Sequence, residues 1–251
     1  MMENTNTGRR AFLRGAALAT AGVAGAGVAG AGFLASPALA LNKTLTYADI
    51  PTLRLLNLPG LSAGNDIQVL NYALTLEDLE ADLYVQALQR LTVGGTNKIG
   101  KQIPGLGLSD MEPDVAYLRE FAVVEAAHRD FLRGSLNSLL SGLATGPRKY
   151  DFGIESKSRE DVLALILLVE ATGVAAYLGA IPKLKTKLFI TAAAAIQGTE
   201  ARHTAVITAI QNKLFNGSTP KPVAPLASDN HGIDTSIDPN TVLAAVSPFI
   251  V

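Results

Sequence analysis

FITAAAAIQGTEARHTAVITAIQNKL, residues 189–214, has the period of an α-helix and an interruption in the face that ought to be buried. Taking every third or fourth residue gives Phe189, Ala193, Ile196, Glu200, His203, Ile207, Ile210 and Leu214, an apolar stripe broken only by Glu200 and His203. A carboxylate and an imidazole on a core-facing stripe need a partner, because an unpaired buried charge is costly. They either form a buried ion pair or hold a cation together. Further ligands elsewhere in the chain favour the second reading.

Working outward, three more helical stripes carry acids at their middles. A helix from about Asp66, with Asn65 as its capping neighbour, to about Leu91 has the stripe Ile67, Leu70, Leu74, Glu77, Ala81, Tyr84, Leu88 and Leu91. A parallel stripe of Val69, Ala73, Leu76, Glu80, Leu83 and Ala87 is nearly as apolar, so periodicity leaves Glu77 and Glu80 both open. A second helix starts near Pro113, suited to a first turn, and runs to about Leu143 before Gly146 and Pro147. Its stripe is Leu118, Phe121, Glu125, His128, Leu132, Leu136 and Leu139, a second Glu-x-x-His on an apolar face. Ser158 and Asp161 form a capping-box pattern that opens a third helix, which ends near Ile181 before Pro182. Glu170 stands alone in its stripe of Leu163, Ile166, Leu167, Val174, Tyr177, Leu178 and Ile181.

The connections constrain the arrangement. Residues 92–112 form a Gly-rich loop with Pro104, longer than a compact helix pair needs and expected to cover something. The connector 145–157, extended, reaches about 43 to 47 Å, which nearly matches a thirty-residue helix at ~1.5 Å per residue. It can cross the whole length of a bundle. Residues 41–65 read as a leader over the domain surface. Residues 216–251 read as a Pro/Ser/Asp-rich tail with a short docking helix after Asp238 and Pro239.

All six chemistry-bearing residues, Glu77, Glu125, His128, Glu170, Glu200 and His203, lie near the midpoints of their helices. Antiparallel packing in pairs would bring those midpoints to one level. At a spacing of three, a carboxylate and an imidazole rise from adjacent rungs of one face and can chelate one ion, the carboxylate remaining free to bridge to another. Four carboxylates carry a charge that two divalent ions balance. By chance a given histidine has roughly one Glu in twenty three positions before it, and two such cases about one in four hundred. Arg129 and Arg202 are expected on outer or flanking faces, away from the acids. His231, in the tail, reads as an exposed loop residue. Tyr84 and Tyr177 each follow an acid by two helical turns on the same face, where a core role competes with a hydrogen bond to a ligand carboxylate.

Composition narrows the chemistry. No cysteine occurs in 251 residues, which excludes disulfides, thiolate ligands and iron–sulfur clusters, so a metal here is held by nitrogen and oxygen. A carboxylate-rich N/O site suits Fe or Mn. The net charge of −1 gives no reason to expect a nucleic-acid partner. The sequence is 48% hydrophobic, and part of that excess lies at the N-terminus. There Arg9 and Arg10 precede Phe12 and Leu13, followed by the uncharged Gly/Ala/Val run 15–34 and Ala38-Leu39-Ala40. That order of basic, apolar and small-residue regions resembles a twin-arginine export signal, with cleavage expected after Ala40. The competing reading is an uncleaved membrane anchor. Removal of residues 1–40 leaves 18 basic and 21 acidic residues.

Two Glu-x-x-His helices and two single-Glu helices make residues 66–215 resemble the ferritin-like superfamily of di-iron and di-manganese carboxylate proteins. The resemblance implies an all-α four-helix bundle with a long crossover between its second and third helices, and two Fe or Mn ions. It favours Glu77 over Glu80, because in bacterioferritin-like and rubrerythrin-like members the ligand Glu precedes a Tyr by seven residues. The export signal, long first loop and tail look more like the desiccation-related branch than like cage ferritins. Implied partners are metal ions, O2 or peroxide and the twin-arginine export machinery, with a periplasmic or extracytoplasmic location; a homo-oligomer is compatible with the pattern. Two function classes stay open: a ferroxidase or manganese-catalase-like oxidoreductase acting in oxidative or desiccation stress, and a non-catalytic metal-binding protein that protects or builds the envelope.

Overall fold

Each of the four apolar stripes becomes the inner face of a long helix. In the computed structural model, which describes residues 44–51, 63–139, 141–225 and 231–251, α1 spans Ala63–Leu91, α2 Pro113–Leu139, α3 Arg159–Ala180 and α4 Lys187–Gln211. The protein is an all-α helical bundle. α1 packs along α2 and α3 along α4; the pairs meet through α1 against α3 and, over a shorter contact, α2 against α4. Leu74, Leu118, Leu136, Leu163, Ile166 and Ile207 fill the core without exposure. α3 is apolar enough to cross a membrane by length and composition, but most of it is inside the bundle with Glu170 at its centre. The export signal expected over residues 1–40, its cleavage site and the anchor reading lie outside the described residues.

The helix ends follow local chemistry, with one reassignment. α3 opens on a complete capping box: Ser158 Oγ accepts from the Asp161 N–H at 3.1 Å, and the Asp161 carboxylate accepts from the Ser158 N–H at 3.2 Å. α1 begins at Ala63, before the expected start, and Asp66 does not cap it. Instead its carboxylate accepts the backbone N–H groups of Lys185 at 2.8 Å and Thr186 at 2.9 Å, at the entry to α4. Asp66 lies a turn inside its own helix and reaches across to the next hairpin. α2 stops at Leu139, short of Leu143. α4 passes after Gln211 into a π-helical turn, Asn212–Asn216.

The crossover between α2 and α3 runs along the outer face of α1 from Asn71 to Arg90. Asn71 holds its start, donating to the Leu143 carbonyl at 2.9 Å and accepting from the Thr145 N–H at 2.7 Å. Further along, Asp78 accepts from the Arg148 N–H and the Tyr150 hydroxyl, each at 3.0 Å, and Gln86 donates to the Tyr150 carbonyl at 3.1 Å. Arg90 donates to the Lys157 carbonyl at 2.7 Å. From Asn71 to Arg90 the strap covers about 29 Å of helix at 1.5 Å per residue.

The long loop after α1 folds into a hairpin, β1 Gly95–Thr96 against β2 Gln102–Ile103. What it covers is the end of α1 and the crossover: Lys98 pairs with Asp82 at 2.7 Å, and Lys101 with Glu155 at 2.7 Å and Asp151 at 3.3 Å. The tail docks as expected. α5, Pro239–Val246, is capped by Asp238 and buries Val242, Leu243 and Val246. Ahead of it, Ile237 donates to the Ala175 carbonyl of α3, and a Cβ at Gly179 would lie 2.0 Å from the Ile237 oxygen. Only glycine permits that approach. The chain end pairs with the crossover, Val251 donating to Lys149 and Asp151 to Phe249. The leader fastens onto the tail, Leu45 donating to Ser247 Oγ and Tyr47 to Asn240.

Candidate metal centre

The packing brings Glu77 from α1, Glu125 and His128 from α2, Glu170 from α3 and Glu200 and His203 from α4 to one level in the core. All four glutamates are at 0% exposure and His203 at 3%, while the His128 side chain keeps 13%. The six divide into two overlapping sets. Glu77, Glu125, His128 and Glu200 offer one ligand atom each within 4.8 Å of one another, and so do Glu125, Glu170, Glu200 and His203. Glu125 and Glu200, the acids of the two Glu-x-x-His pairs, belong to both.

Close approach here does not mean hydrogen bonding. His203 Nδ1 lies 2.8 Å from Glu125 Oε1 and 3.3 Å from Glu170 Oε1, yet that nitrogen and Glu125 Oε1 have no hydrogen-bond partner. Atoms this near without hydrogen-bond alignment keep lone pairs that a cation could use. Glu77 Oε2, Glu170 Oε2 and both Glu200 oxygens are likewise buried without partners. Unsatisfied buried oxygens at this density are costly unless a cation meets them. The oxygen and nitrogen donors, with two shared carboxylates, fit metal ions.

In the protein without ions the imidazoles take the cation's part. His128 Nδ1 sits 3.1 Å from Glu125 Oε2, 3.4 Å from Glu200 Oε1 and 3.5 Å from Glu77 Oε2. Burial alone would lower its pKa, but the hydrogen bond to Glu125 and the negative charge of the carboxylates around it win and push it up to about 12. The same contest, with Glu125 and Glu170, raises His203 to about 10. Burial works to raise Glu125, yet the two histidines hold it down to about 2. Glu77 and Glu200 are raised well above the ordinary carboxylate value, by burial first. Among the described residues, the ion pairs of the six involve no lysine or arginine. Arg129 turns to Asp130 at 2.8 Å and Arg202 to Thr199 at 2.8 Å. His231 is exposed in the tail at φ 61°.

Two tyrosines orient the single acids crosswise. The Tyr177 hydroxyl on α3 donates to Glu77 Oε1 on α1 at 2.5 Å, and Tyr84 on α1 donates to Glu170 Oε1 on α3. Each spacing of seven residues thus serves the opposite helix's acid. Phe121 stacks on the His203 ring, with centroids 4.0 Å apart at 25°, which fixes the imidazole plane. Its place in the α2 stripe read only as core. Glu80, open beside Glu77 by periodicity, is also in the core at 2% exposure.

The ferritin-like domain family matches residues 65–213, a span that takes in all six of these residues. No curated protein matches the chain.

Proposed function

The chain belongs to the ferritin-like domain family, and from that premise we propose that its bundle holds a dinuclear iron or manganese centre that reacts with O2 or peroxide. The observation that carries this reading is the pair of four-donor sets sharing Glu125 and Glu200. Glu77 and His128 would hold one ion and Glu170 and His203 the other, with Glu125 and Glu200 available to both. Nitrogen and oxygen donors rich in carboxylate suit Fe or Mn. When bound, such a pair supplies Lewis acidity and one-electron redox steps toward an oxidant. The chain's own contribution is to fix the carboxylates through Tyr84 and Tyr177, to give up the protons of His128 and His203 when ions bind, and to keep bulk water from the core.

The sequence over residues 8–40 supports export as a folded, loaded protein by the twin-arginine route, with cleavage after Ala40 and a place in the envelope's response to oxidative or desiccation stress. N-terminal sequencing of the exported protein should begin at Leu41. A full-length chain held in the membrane fraction would overturn cleavage.

Metal analysis of protein from an exporting host, followed by turnover assays with Fe(II) plus O2 and with H2O2, tests the centre. Two ions per chain with turnover of either oxidant is the expected result. Two bound ions without any turnover support a metal-holding protective role in place of catalysis. Glu125→Ala and His203→Ala should each lose metal; full stoichiometry in both would sink the shared site.

A further inference from the structure

The sequence sets Glu77 and Glu80 as alternatives, but three residues apart on α1 they occupy adjacent rungs of one inner face. Both are buried: Glu77 is at 0% exposure and Glu80 at 2%. Glu80 Oε2 has no hydrogen-bond partner, a cost that a side chain with a free path to solvent would not bear.

Gly173 shows where Glu80 is aimed. It stands three residues after Glu170 on α3, the spacing at which α2 and α4 carry their histidines. A Cβ at Gly173 would lie 2.9 Å from Glu80 Oε1 and 3.0 Å from Glu200 Oε2. Both oxygens thus border the same point, and any larger residue on α3 would press on them. The helix face that could have supplied a seventh side chain is left bare, and Glu80 enters from the opposite helix.

We propose that Glu80 is a seventh ligand of the centre, binding beside Glu200 in the space that Gly173 leaves open. The proposal rests on the dinuclear reading above and extends it: Glu77 and Glu80 both serve, and the centre holds five carboxylates instead of four. Two divalent ions then leave one negative charge uncompensated. The full set accordingly suits ions whose combined charge exceeds four.

The test uses the full chain, stripped of metal and titrated with Mn(II), with the free ion counted by electron paramagnetic resonance. Wild type should bind two ions. Glu80→Gln keeps the volume and should weaken one of the two by about tenfold or more, the scale on which groups around a metal act. Gly173→Ala, which leaves Glu80 in place but crowds it against Glu200, should weaken the same ion. In crystals of the Mn(II)-loaded wild type, a Glu80 oxygen should be within direct bonding distance of an ion. Two ions bound by Glu80→Gln with wild-type affinity, or a Glu80 carboxylate remote from both ions in the loaded crystal, overturns the assignment and leaves the six-ligand centre standing. Failure of the wild type to bind Mn(II) or Fe(II) overturns the centre and the seventh ligand together.

Discussion

At the residue scale the two tyrosines and two histidines bear the most weight. Tyr84→Phe and Tyr177→Phe each strip a donor from a fully buried carboxylate, Glu170 and Glu77 respectively. Each should destabilise the metal-free protein by about 1–3 kcal/mol and lower metal affinity by about tenfold, read by denaturant unfolding and metal titration. A second expectation concerns pH. With folded-state pKa values of about 12 for His128 and about 10 for His203, their stabilisation is complete below the ordinary imidazole value of 6.5 and is lost as pH rises through those higher values. Glu77 and Glu200, raised above 4.5, act in the same sense, because the unfolded chain ionises first as pH rises. Glu125, at about 2, stays ionised throughout. The metal-free protein should therefore melt at a lower temperature at pH 8 than at pH 6. Added metal should shift the melting point more at pH 8, since its ligands must shed protons. A metal-free protein whose melting point rises over that range contradicts these assignments. The clustered acids and histidines were legible because apolar stripes make a buried acid conspicuous. Asp66 was misread because a carboxylate near a helix start fits its own helix as well as a neighbour's, and only packing distinguishes the two.

At the scale of elements, the crossover explains a face of α1 that periodicity does not. Asp78 and Asp82, outside both apolar stripes, are buried at 5% and 2% exposure, Asp78 under the crossover and Asp82 beside Lys98 of the hairpin. A connector without a repeating pattern leaves no trace of where it lies, so neither its route nor the helix residues that hold it could be read from sequence; only its reach could. Asp78→Ala should leave the Tyr150 hydroxyl and the Arg148 N–H without their acceptor and cost about 2–3 kcal/mol. Amide exchange over residues 145–157 should quicken in that variant, with α3 and α4 protected as before. The tail offers a parallel test at Gly179. A methyl group there meets the Ile237 carbonyl at 2.0 Å, so Gly179→Ala should displace the segment ahead of α5 and make it sensitive to protease. The docking helix itself was readable, since Asp238-Pro239 before an apolar run is a strong helix start. That α3 must carry glycine to receive the tail was not, because the requirement belongs to a contact and not to either segment.

For the molecule as a whole, every long helix contributes at least one residue to the buried carboxylate–histidine cluster, so an ion bound there would join all four. Metal at a thousandfold excess over its dissociation constant should raise stability by about 4 kcal/mol if the unfolded chain does not bind it, measurable as a concentration-dependent rise in melting temperature. Bundle topology was legible from four stripes and one long connector; the small hairpin after α1 was not, its strands being too short to show a period.

The crossover, the hairpin, the leader and the tail all gather on the α1 and α3 side. The other side, where α2 meets α4 over a short contact, is where His128 keeps its 13% exposure while the glutamates keep none. The molecule thus has a back and a front. Of the six clustered residues, His128 is thus the one whose side chain stands nearest to solvent, and a probe that reacts with exposed imidazole should modify it ahead of His203.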